Sequence, residues 1–275
     1  MFMIDYSMNN AHVFAPGELI RHGILMSTPG FQAEHERIPA GKFHFRKIPI
    51  DFERYKRAFN RVMEAINRGD TFLLNLTFPT RLDTDLSLDQ IFRAGTAKYR
   101  LKFKDRFVVF SPEPFVVIKG NIISSFPMKG TMDASVEDAE HRLLNDIKEV
   151  SEHNTIVDLI RNDLSMVAKK VRVEKFRYVE RIRTHERELL QTSSMISGEL
   201  RGNWRSRVGD LLFRMLPAGS ISGAPKQMTM EVIEAAEGYE RGWFSGVFGY
   251  FDGRDLESAV MIRYIEQADG KLIFK

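Results

Sequence analysis

The spacing of apolar residues predicts a chain that mixes helices with short strands. Apolar side chains recur at helical intervals through residues 51–68, and Gly69 closes that segment. Residues 71–82 are typical of a strand, and residues 88–98 favour a short helix. Proline and glycine punctuate residues 1–50, so we predict irregular structure there.

Three β-rich runs follow at residues 106–111, 114–119 and 121–126, and their short links favour an antiparallel meander. In a meander the start of the second run lies beside the end of the third. Glu113 precedes the second run, and Lys129 stands three residues past the third, where the flanking residues indicate a loop. At a strand spacing of about 4.8 Å the two side chains meet within ~10 Å. They form either a surface salt bridge of little energetic value or a reactive pair.

A long helix is predicted after residues 135–138, because "SVED" matches a capping box. It should extend to about Ile160. Within it, Glu149 and Glu152 lie three positions apart and so share one side of the helix. Such a pair can bind a hard cation such as Mg²⁺, or it is an ordinary solvated acidic face.

Another helix is predicted after the Gly/Ser loop at residues 217–226. Pro225 suits its first turn, and Gly238 suits its end. A loop of this kind can bind an anion, although the Gly-Lys-Ser/Thr signature of a nucleotide P-loop is absent. The remaining residues, 243–275, read as antiparallel strands with turns.

Composition excludes several classes of function. The chain has 275 residues, enough for a large core, and 40 basic residues interspersed with 37 acidic ones, so we expect no nucleic-acid partner. The absence of cysteine excludes disulfides, zinc–thiolate sites and cysteine nucleophiles, and it fits a reducing, cytoplasmic compartment. We expect neither a signal peptide nor a membrane span.

A series of stretches in fixed order carries a family resemblance. They are "SPEPF" (111–115), "PMKGT" (127–131), "EHNTIVDLIRND" (152–163), "GSISGAPK" (219–226), "FSGVFGYF" (244–251) and "MIR" (261–263). The sequence closely resembles the chorismate-utilising enzymes, which include anthranilate, aminodeoxychorismate, isochorismate and salicylate synthases. The likeness covers roughly residues 50–275 and leaves 1–50 divergent. It implies one chorismate-binding domain over 1–275, of the α+β class, built as a sandwich of antiparallel sheets with outer helices.

Lys129 distinguishes members of this family. Anthranilate synthases and most relatives have alanine at the corresponding position, whereas aminodeoxychorismate synthases have lysine. The resemblance therefore implies formation of 4-amino-4-deoxychorismate, the precursor of p-aminobenzoate and folate. Lys129 would attack C2 of chorismate as an uncharged amine, against an ordinary pKa near 10.4, and Glu113 would protonate the leaving C4 hydroxyl. A separate glutamine amidotransferase would supply ammonia.

The resemblance also implies the residues that hold the ligands. Glu152 would bind Mg²⁺ with Glu149 in a secondary role, and Arg263 would pair with a substrate carboxylate. Lys226 would neutralise charge near the metal. The implied substrate-binding set is Gly130, Thr131, Phe244, Gly246, Arg263 and Lys226.

The sequence departs from the family pattern at two places. Gln191 stands where many members carry a histidine. In lyase members that histidine is associated with pyruvate elimination, so its absence here fits a product that keeps the enolpyruvyl group. The nearby His185 does not align with that histidine and is expected at the surface. The family also continues beyond the position of Lys275 with a helix that carries a further glutamate, so we expect the metal and carboxylate sites to lack a wall.

Alternative functions remain open from the sequence. Another chorismate reaction, such as that of anthranilate synthase, fits most of the same motifs. An inactive relative that acts as a binding subunit fits the expected loss of a wall.

Overall fold

A computed structural model describes residues 1–33, 36–39, 41–183 and 187–275 of the chain. In this part of the chain, seven α-helices surround two large antiparallel sheets. The helices are α1 Phe52–Arg68, α2 Leu88–Ala94, α3 Ala139–Asn145, α4 Ile147–Ser165, α5 Val208–Met215, α6 Gly219–Ser222 and α7 Lys226–Glu237. Among the described helices, none is long and apolar enough to cross a membrane.

The strands are short, apart from one long hairpin. In chain order they are β1 Phe2–Ile4, β2 Ala11–Val13, β3 Ile24–Thr28, β4 Phe31–Ala33, β5 Phe45–Ile48, β6 Leu73–Leu74, β7 Thr80–Thr84, β8 Tyr99–Phe103, β9 Phe107–Ser111, β10 Pro114–Lys119, β11 Ile122–Ser125, β12 Met128–Asp133, β13 Lys169–Arg183, β14 Glu188–Glu199, β15 Gly223–Ala224, β16 Val247–Phe251, β17 Leu256–Val260, β18 Tyr264–Ala268 and β19 Lys271–Phe274. The long hairpin is formed by β13 and β14.

The strands divide between the two sheets. The first sheet has the order β12-β14-β11-β10-β17-β16-β1-β2, with β13 along the other edge of β14. Strands β11 and β12 follow each other along the same edge of β14. The second sheet has the order β4-β3-β8-β9-β18-β19-β7-β5, and β6 pairs separately with β15. All of these pairings are antiparallel, which confirms the expected α+β sandwich.

Two predictions about the strands are wrong. The meander does not form, because β9 pairs with β8 and β18 in the second sheet, while β10 pairs with β11 and β17 in the first. The link that contains Glu113 therefore crosses between the sheets. Residues 1–50 are not irregular but supply five strands. Strands of three to five residues draw their stability from neighbours that are distant in the chain, so they leave little local signal.

Alternation along the strands produces two cores, one on each face of the first sheet. In β1, Phe2 and Ile4 face the helices, whereas Met3 faces the second sheet. The helix-side core includes Phe115, Ile118, Ile123, Ile156, Ile160, Leu164, Ile196, Leu212 and Met215. The core between the sheets includes Ile24, Met26, Tyr99, Leu101, Phe107, Trp243, Phe248 and Tyr264. Helix α4 is thus fixed against the sheet that carries β10, β11 and β12.

The helices follow the sequence with one break. Helix α1 ends at Gly69, as predicted, and the side chain of Asp51 caps its start. The capping box at 135–138 is not formed, because Ser135 bonds to Asp133 instead. The single helix predicted there is interrupted, and the Asp146 side chain caps a new helix, α4. The predicted strand over 71–82 is only partly present, as β6 and the start of β7.

Substitution of Gly246 by alanine should destabilise the fold. A Cβ at this position would lie 2.3 Å from the Ile4 carbonyl oxygen, and that backbone is held in the first sheet. We expect Gly246→Ala to lower the free energy of unfolding by about 2 kcal/mol or more, as overpacking does. Gly209→Ala is the control, because no atom lies within 4 Å of its Cβ position and alanine favours helix α5. Urea unfolding that ranks the two variants equally would contradict this account.

Candidate active site

Lys129 lies in a bulge of β12 and not in the predicted loop. The register with β14 shifts between Met128 and Thr131, and Gly130 adopts a φ of +85°. A Cβ on Gly130 would come within 3.1 Å of the Glu149 carboxylate, so a glycine leaves room for that side chain. Bulges re-aim side chains near sheet edges, and this one sets the direction of Lys129.

The Lys129 amine lies among carboxylates. Its Nζ is 3.5 Å from Glu152 Oε2, and it interacts electrostatically with Glu113. Lys148 approaches the other Glu152 oxygen at 3.6 Å. The β10–β11 hairpin brings Glu113 and Lys129 together, as the strand argument predicted, even though the first strand of the predicted meander, β9, lies in the second sheet.

Glu113 is a carboxyl group that holds its proton unusually well. Burial raises its pKa to about 7, although a hydrogen bond with Ser220 and the charge of Lys129 act in the opposite direction. Near neutral pH the group is therefore divided between its acid and carboxylate forms. Such a group can donate a proton to a leaving oxygen.

Glu149 and Glu152 form the acidic pair predicted on α4. The backbone N–H of Glu149 donates to the side chain of Asp146, which caps the helix. The Glu152 side chain faces Lys129. In the described ranges, no cluster of three or more His, Asp or Glu side chains could hold a metal ion. Mg²⁺ is often held by one or two carboxylates, with substrate and water completing its shell. The pair fits that partial role and not a closed protein site.

Lys226 lies apart from this group. Its Nζ is 2.8 Å from Asp163 Oδ2 and donates to the carbonyl of Met215 at 2.6 Å. Burial lowers the pKa of Lys226 and raises that of Asp163 to about 6. Asp163 lies eleven residues after Glu152 on α4, or about 16 Å along the axis. The loop reaches Glu113 through Ser220 instead, and substrate binding by Lys226 stays a prediction.

Arg263 and Thr131 are both exposed. The Arg263 carbonyl accepts from the N–H of Phe110, and the Glu113 carbonyl accepts from Val260. The Arg263 side chain has no hydrogen bond or salt bridge to any described residue, so its guanidinium is available to a ligand. Thr131 lies opposite Gln191 across the β12–β14 pair.

Phe244 and Gly246 lie in the interior. Phe244 packs in the core between the sheets, and Gly246 allows close approach of β1. Their placement is explained by packing, and their role in substrate binding stays a prediction. His185 lies outside the described residues.

Three residues around Lys129 were missed from the sequence. The Thr192 hydroxyl donates to the Lys129 carbonyl. His153 is fully buried, its Nε2 is 2.6 Å from Ser194 Oγ, and burial together with the nearby Arg177 lowers its pKa to about 4. Ser220 bonds to Glu113. His153 follows Glu152 directly, but only the tertiary fold shows that it reaches β12 and β14.

The sequence matches a known protein family. The family model described as chorismate binding enzyme matches residues 27–275. The chain belongs to the chorismate binding enzyme family. Two relatives are named uncharacterized PabA-like proteins. The one from Pasteurella multocida is 48% identical over 100% of this chain and 85% of its own length, and the one from Haemophilus influenzae is 52% identical over 84% and 70%.

More distant relatives have named activities. Aminodeoxychorismate synthase component 1 of Bacillus subtilis is 30% identical over 84% of this chain and 51% of its own length. Among solved structures, anthranilate synthase component I from Streptococcus pneumoniae superimposes with a TM-score of 0.66 at 25% identity, over 90% of this chain and 56% of that one. The chain therefore spans about half the length of these two proteins.

The stability of the protein should depend on pH through Glu113. The pKa of this group rises from 4.5 to about 7 on folding, so its contribution is fully present below about pH 4.5 and is lost as pH rises through 7. Glu113→Gln removes this dependence. Relative to wild type, the variant should gain about 2–4 kcal/mol of unfolding free energy between pH 4.5 and pH 7.5.

Urea unfolding at a series of pH values measures this gain. Glu64→Gln, on the exposed face of α1, is the matched control and should differ from wild type by the same amount at every pH. A constant difference for Glu113→Gln as well would show that burial does not shift this carboxyl group.

Proposed function

We propose that this protein aminates chorismate by the reaction of an aminodeoxychorismate synthase, with Lys129 as a transient covalent nucleophile. One observation carries the proposal: a lysine amine at a sheet bulge, 3.5 Å from Glu152, interacts electrostatically with the buried carboxyl group of Glu113, whose pKa burial raises to about 7. A nucleophile and an acid are the two groups needed to replace a hydroxyl on an allylic ring carbon.

In the first step, the uncharged Lys129 amine attacks C2 of chorismate. Both conjugated double bonds of the ring shift, from C1=C2 and C5=C6 to C1=C6 and C4=C5, the C4–O bond breaks, and Glu113 gives its proton to the departing oxygen, so that water leaves. The amine must first leave its ion pair with Glu152 and lose a proton. Hydroxide is a poor leaving group, which is why a protonated Glu113 is required.

In the second step, ammonia attacks C4 and the C2–N bond to Lys129 breaks. Both double bonds return to their first positions, and the lysine recovers a proton as it leaves. The sum is chorismate plus ammonia giving 4-amino-4-deoxychorismate and water. The chain contains no cysteine to release ammonia from glutamine in the usual way, so a separate glutamine amidotransferase is the expected partner.

The substrate carboxylates need cationic partners. Arg263 offers an exposed guanidinium that pairs with no described residue, and a guanidinium matches a carboxylate as a two-bond fork. Gly130 and Thr131 lie beside Lys129 on β12 and would contact the ring substituents. Mg²⁺, held by Glu152 with help from Glu149, would neutralise charge on a substrate carboxylate.

The relatives support this choice of reaction without deciding it. The Bacillus subtilis relative is named for aminodeoxychorismate synthesis, whereas an Acetivibrio thermocellus relative at 34% identity is named anthranilate synthase component 1. The lysine at position 129, which resembles the first group, is what favours amination at C4.

Chorismate without ammonia should leave a covalent adduct on Lys129. The first step forms the C2–N bond, and only ammonia releases it, so the intermediate should accumulate in the presence of Mg²⁺. Intact-protein and peptide mass spectrometry would locate the added mass. Lys129→Arg should give no adduct, because a guanidinium keeps its proton.

Product analysis separates the alternatives. Product formed with ammonia but without any modified Lys129 peptide would make the lysine electrostatic and remove the basis for the proposal. Anthranilate, detected by its fluorescence, would identify the other reaction. Lys129→Ala should form no adduct, and ammonia can then attack C2 directly.

Mg²⁺ binding should depend on Glu152 more than on Glu149. Isothermal titration of Mg²⁺ in the presence of chorismate should show affinity falling by at least tenfold in Glu152→Gln and by less in Glu149→Gln, because Glu149 would make a secondary contact. Glu137→Gln, an exposed residue outside the pair, serves as the control. Unchanged affinity in Glu152→Gln would remove this residue from the metal site.

A further inference from the structure

Side chains from a helix and from a strand contact the backbone carbonyl of Lys129. The hydroxyl of Thr192, a fully buried residue on β14, donates to the Lys129 carbonyl. The imidazole of His153 on α4 also interacts with that carbonyl. Two different elements thus converge on one backbone oxygen at the bulge.

The hydrogen-bond partners of Ser194 favour one arrangement of the His153 protons. Ser194 Oγ accepts from the backbone N–H of Arg177 at 2.9 Å and lies 2.6 Å from His153 Nε2. A serine hydroxyl has one hydrogen to donate, and in the described chain no other acceptor is placed to receive it. In a neutral imidazole, Nε2 accepts the serine hydrogen and Nδ1 carries the ring proton. In a charged imidazolium, both nitrogens carry a proton. In either state Nδ1 is a donor.

The buried Nδ1 donor of His153 needs an acceptor. It is buried, and no described atom meets full hydrogen-bond geometry with it. A buried donor without a partner is energetically costly, so even a weak contact between Nδ1 and a nearby carbonyl oxygen is stabilising. The Lys129 carbonyl is the backbone group that interacts with this ring.

We propose that His153 and Thr192 are positioning residues, which clamp the Lys129 carbonyl from α4 and β14 and so aim the Lys129 amine between Glu113 and Glu152. This inference rests on the proposed function for its catalytic consequence. The clamp itself concerns only the placement of Lys129. Neither residue touches the reacting atoms.

The neighbouring residues make the clamp effective. Glu152, which meets the amine, directly precedes His153, which meets the carbonyl, so α4 contacts both ends of Lys129. Gly130 has a positive φ and leaves the bulge without a side chain of its own to fix it. The carbonyl contacts therefore determine how the lysine leaves the strand.

Paired variants test the two contacts separately. Asparagine at 153 keeps an amide nitrogen near the Nδ1 position, whereas glutamine keeps one near Nε2 and loses the donor to Lys129. Thr192→Ser keeps the hydroxyl, and Thr192→Val removes it at similar volume. We expect His153→Gln and Thr192→Val to slow adduct formation on Lys129 by 10- to 100-fold, on the order of the effect of a misplaced group, with His153→Asn and Thr192→Ser within about threefold of wild type.

A readout without chorismate isolates the clamp. Trace acetylation followed by peptide mass spectrometry gives the reactivity of Lys129 relative to exposed Lys56 and Lys271. Loss of the clamp should free the amine from its carboxylates and raise its relative labelling by at least threefold in His153→Gln and Thr192→Val. A merely structural role predicts instead that loss of the Ser194 contact matters, so that His153→Asn is the more damaged variant.

The outcomes separate the two proposals. Altered labelling in the predicted variants, with no adduct even in wild type, would support the clamp and overturn the proposed function. Adduct formation in wild type with equal labelling and equal rates in all four variants would overturn the clamp. Circular dichroism and urea unfolding show that each variant is folded before either readout is scored.

Discussion

The buried ion pair of Arg241 and Glu237 is the constraint on which the site depends. The two side chains are almost fully buried and joined by bonds of 2.6 and 2.9 Å. Burying two charges is unfavourable unless their remaining hydrogen-bonding groups are satisfied. Arg241 meets this condition by donating to the carbonyl of Ile221, among others, which fixes the turn that carries Ser220. Since Ser220 bonds to Glu113, a structural ion pair sets the surroundings of the candidate acid.

A second ion pair, between Lys226 and Asp163, holds the other end of the same loop and distinguishes Lys226 from Lys129. Lys226 is bound to Asp163 of α4 and to a backbone carbonyl, so its charge stabilises the loop. Among the described residues, the Lys129 amine forms its ion pair with the Glu152 side chain, and 23% of the Lys129 side chain is accessible. An amine can act as a nucleophile only where it can exchange its proton and reach a ligand. Of these two lysines, Lys129 meets that condition.

The sequence predicts most where the determinants are local. Helix α1 and its Gly69 end follow from helical spacing and from the preference for glycine at a helix end, and the approach of Glu113 to Lys129 follows from one hairpin. The division of strands between two sheets does not follow, because alternation reports burial but not the identity of the partner. For the same reason Thr192 was missed: its contact with Lys129 spans 63 residues. The ligand roles were predicted from the family resemblance, which implied that Lys226 is the binding residue of its loop. In the structure this loop contacts Glu113 through Ser220.

In the proposed reaction, the proton balance of the site would allow a charged lysine to serve as a nucleophile. The reactive state requires an uncharged Lys129 and a protonated Glu113, which has the same net charge as the ion pair of ammonium and carboxylate. One proton transfer converts one state into the other. Desolvation disfavours the ion pair more than the neutral pair, and burial already raises the pKa of Glu113 to about 7. A substrate that covers the rim removes further water and shifts the balance toward the neutral pair. Glu152 acts in the opposite direction, because its carboxylate stabilises the ammonium at 3.5 Å. The reactivity of Lys129 is therefore set by which of the two carboxylates it faces, and the geometry of the bulge determines that choice.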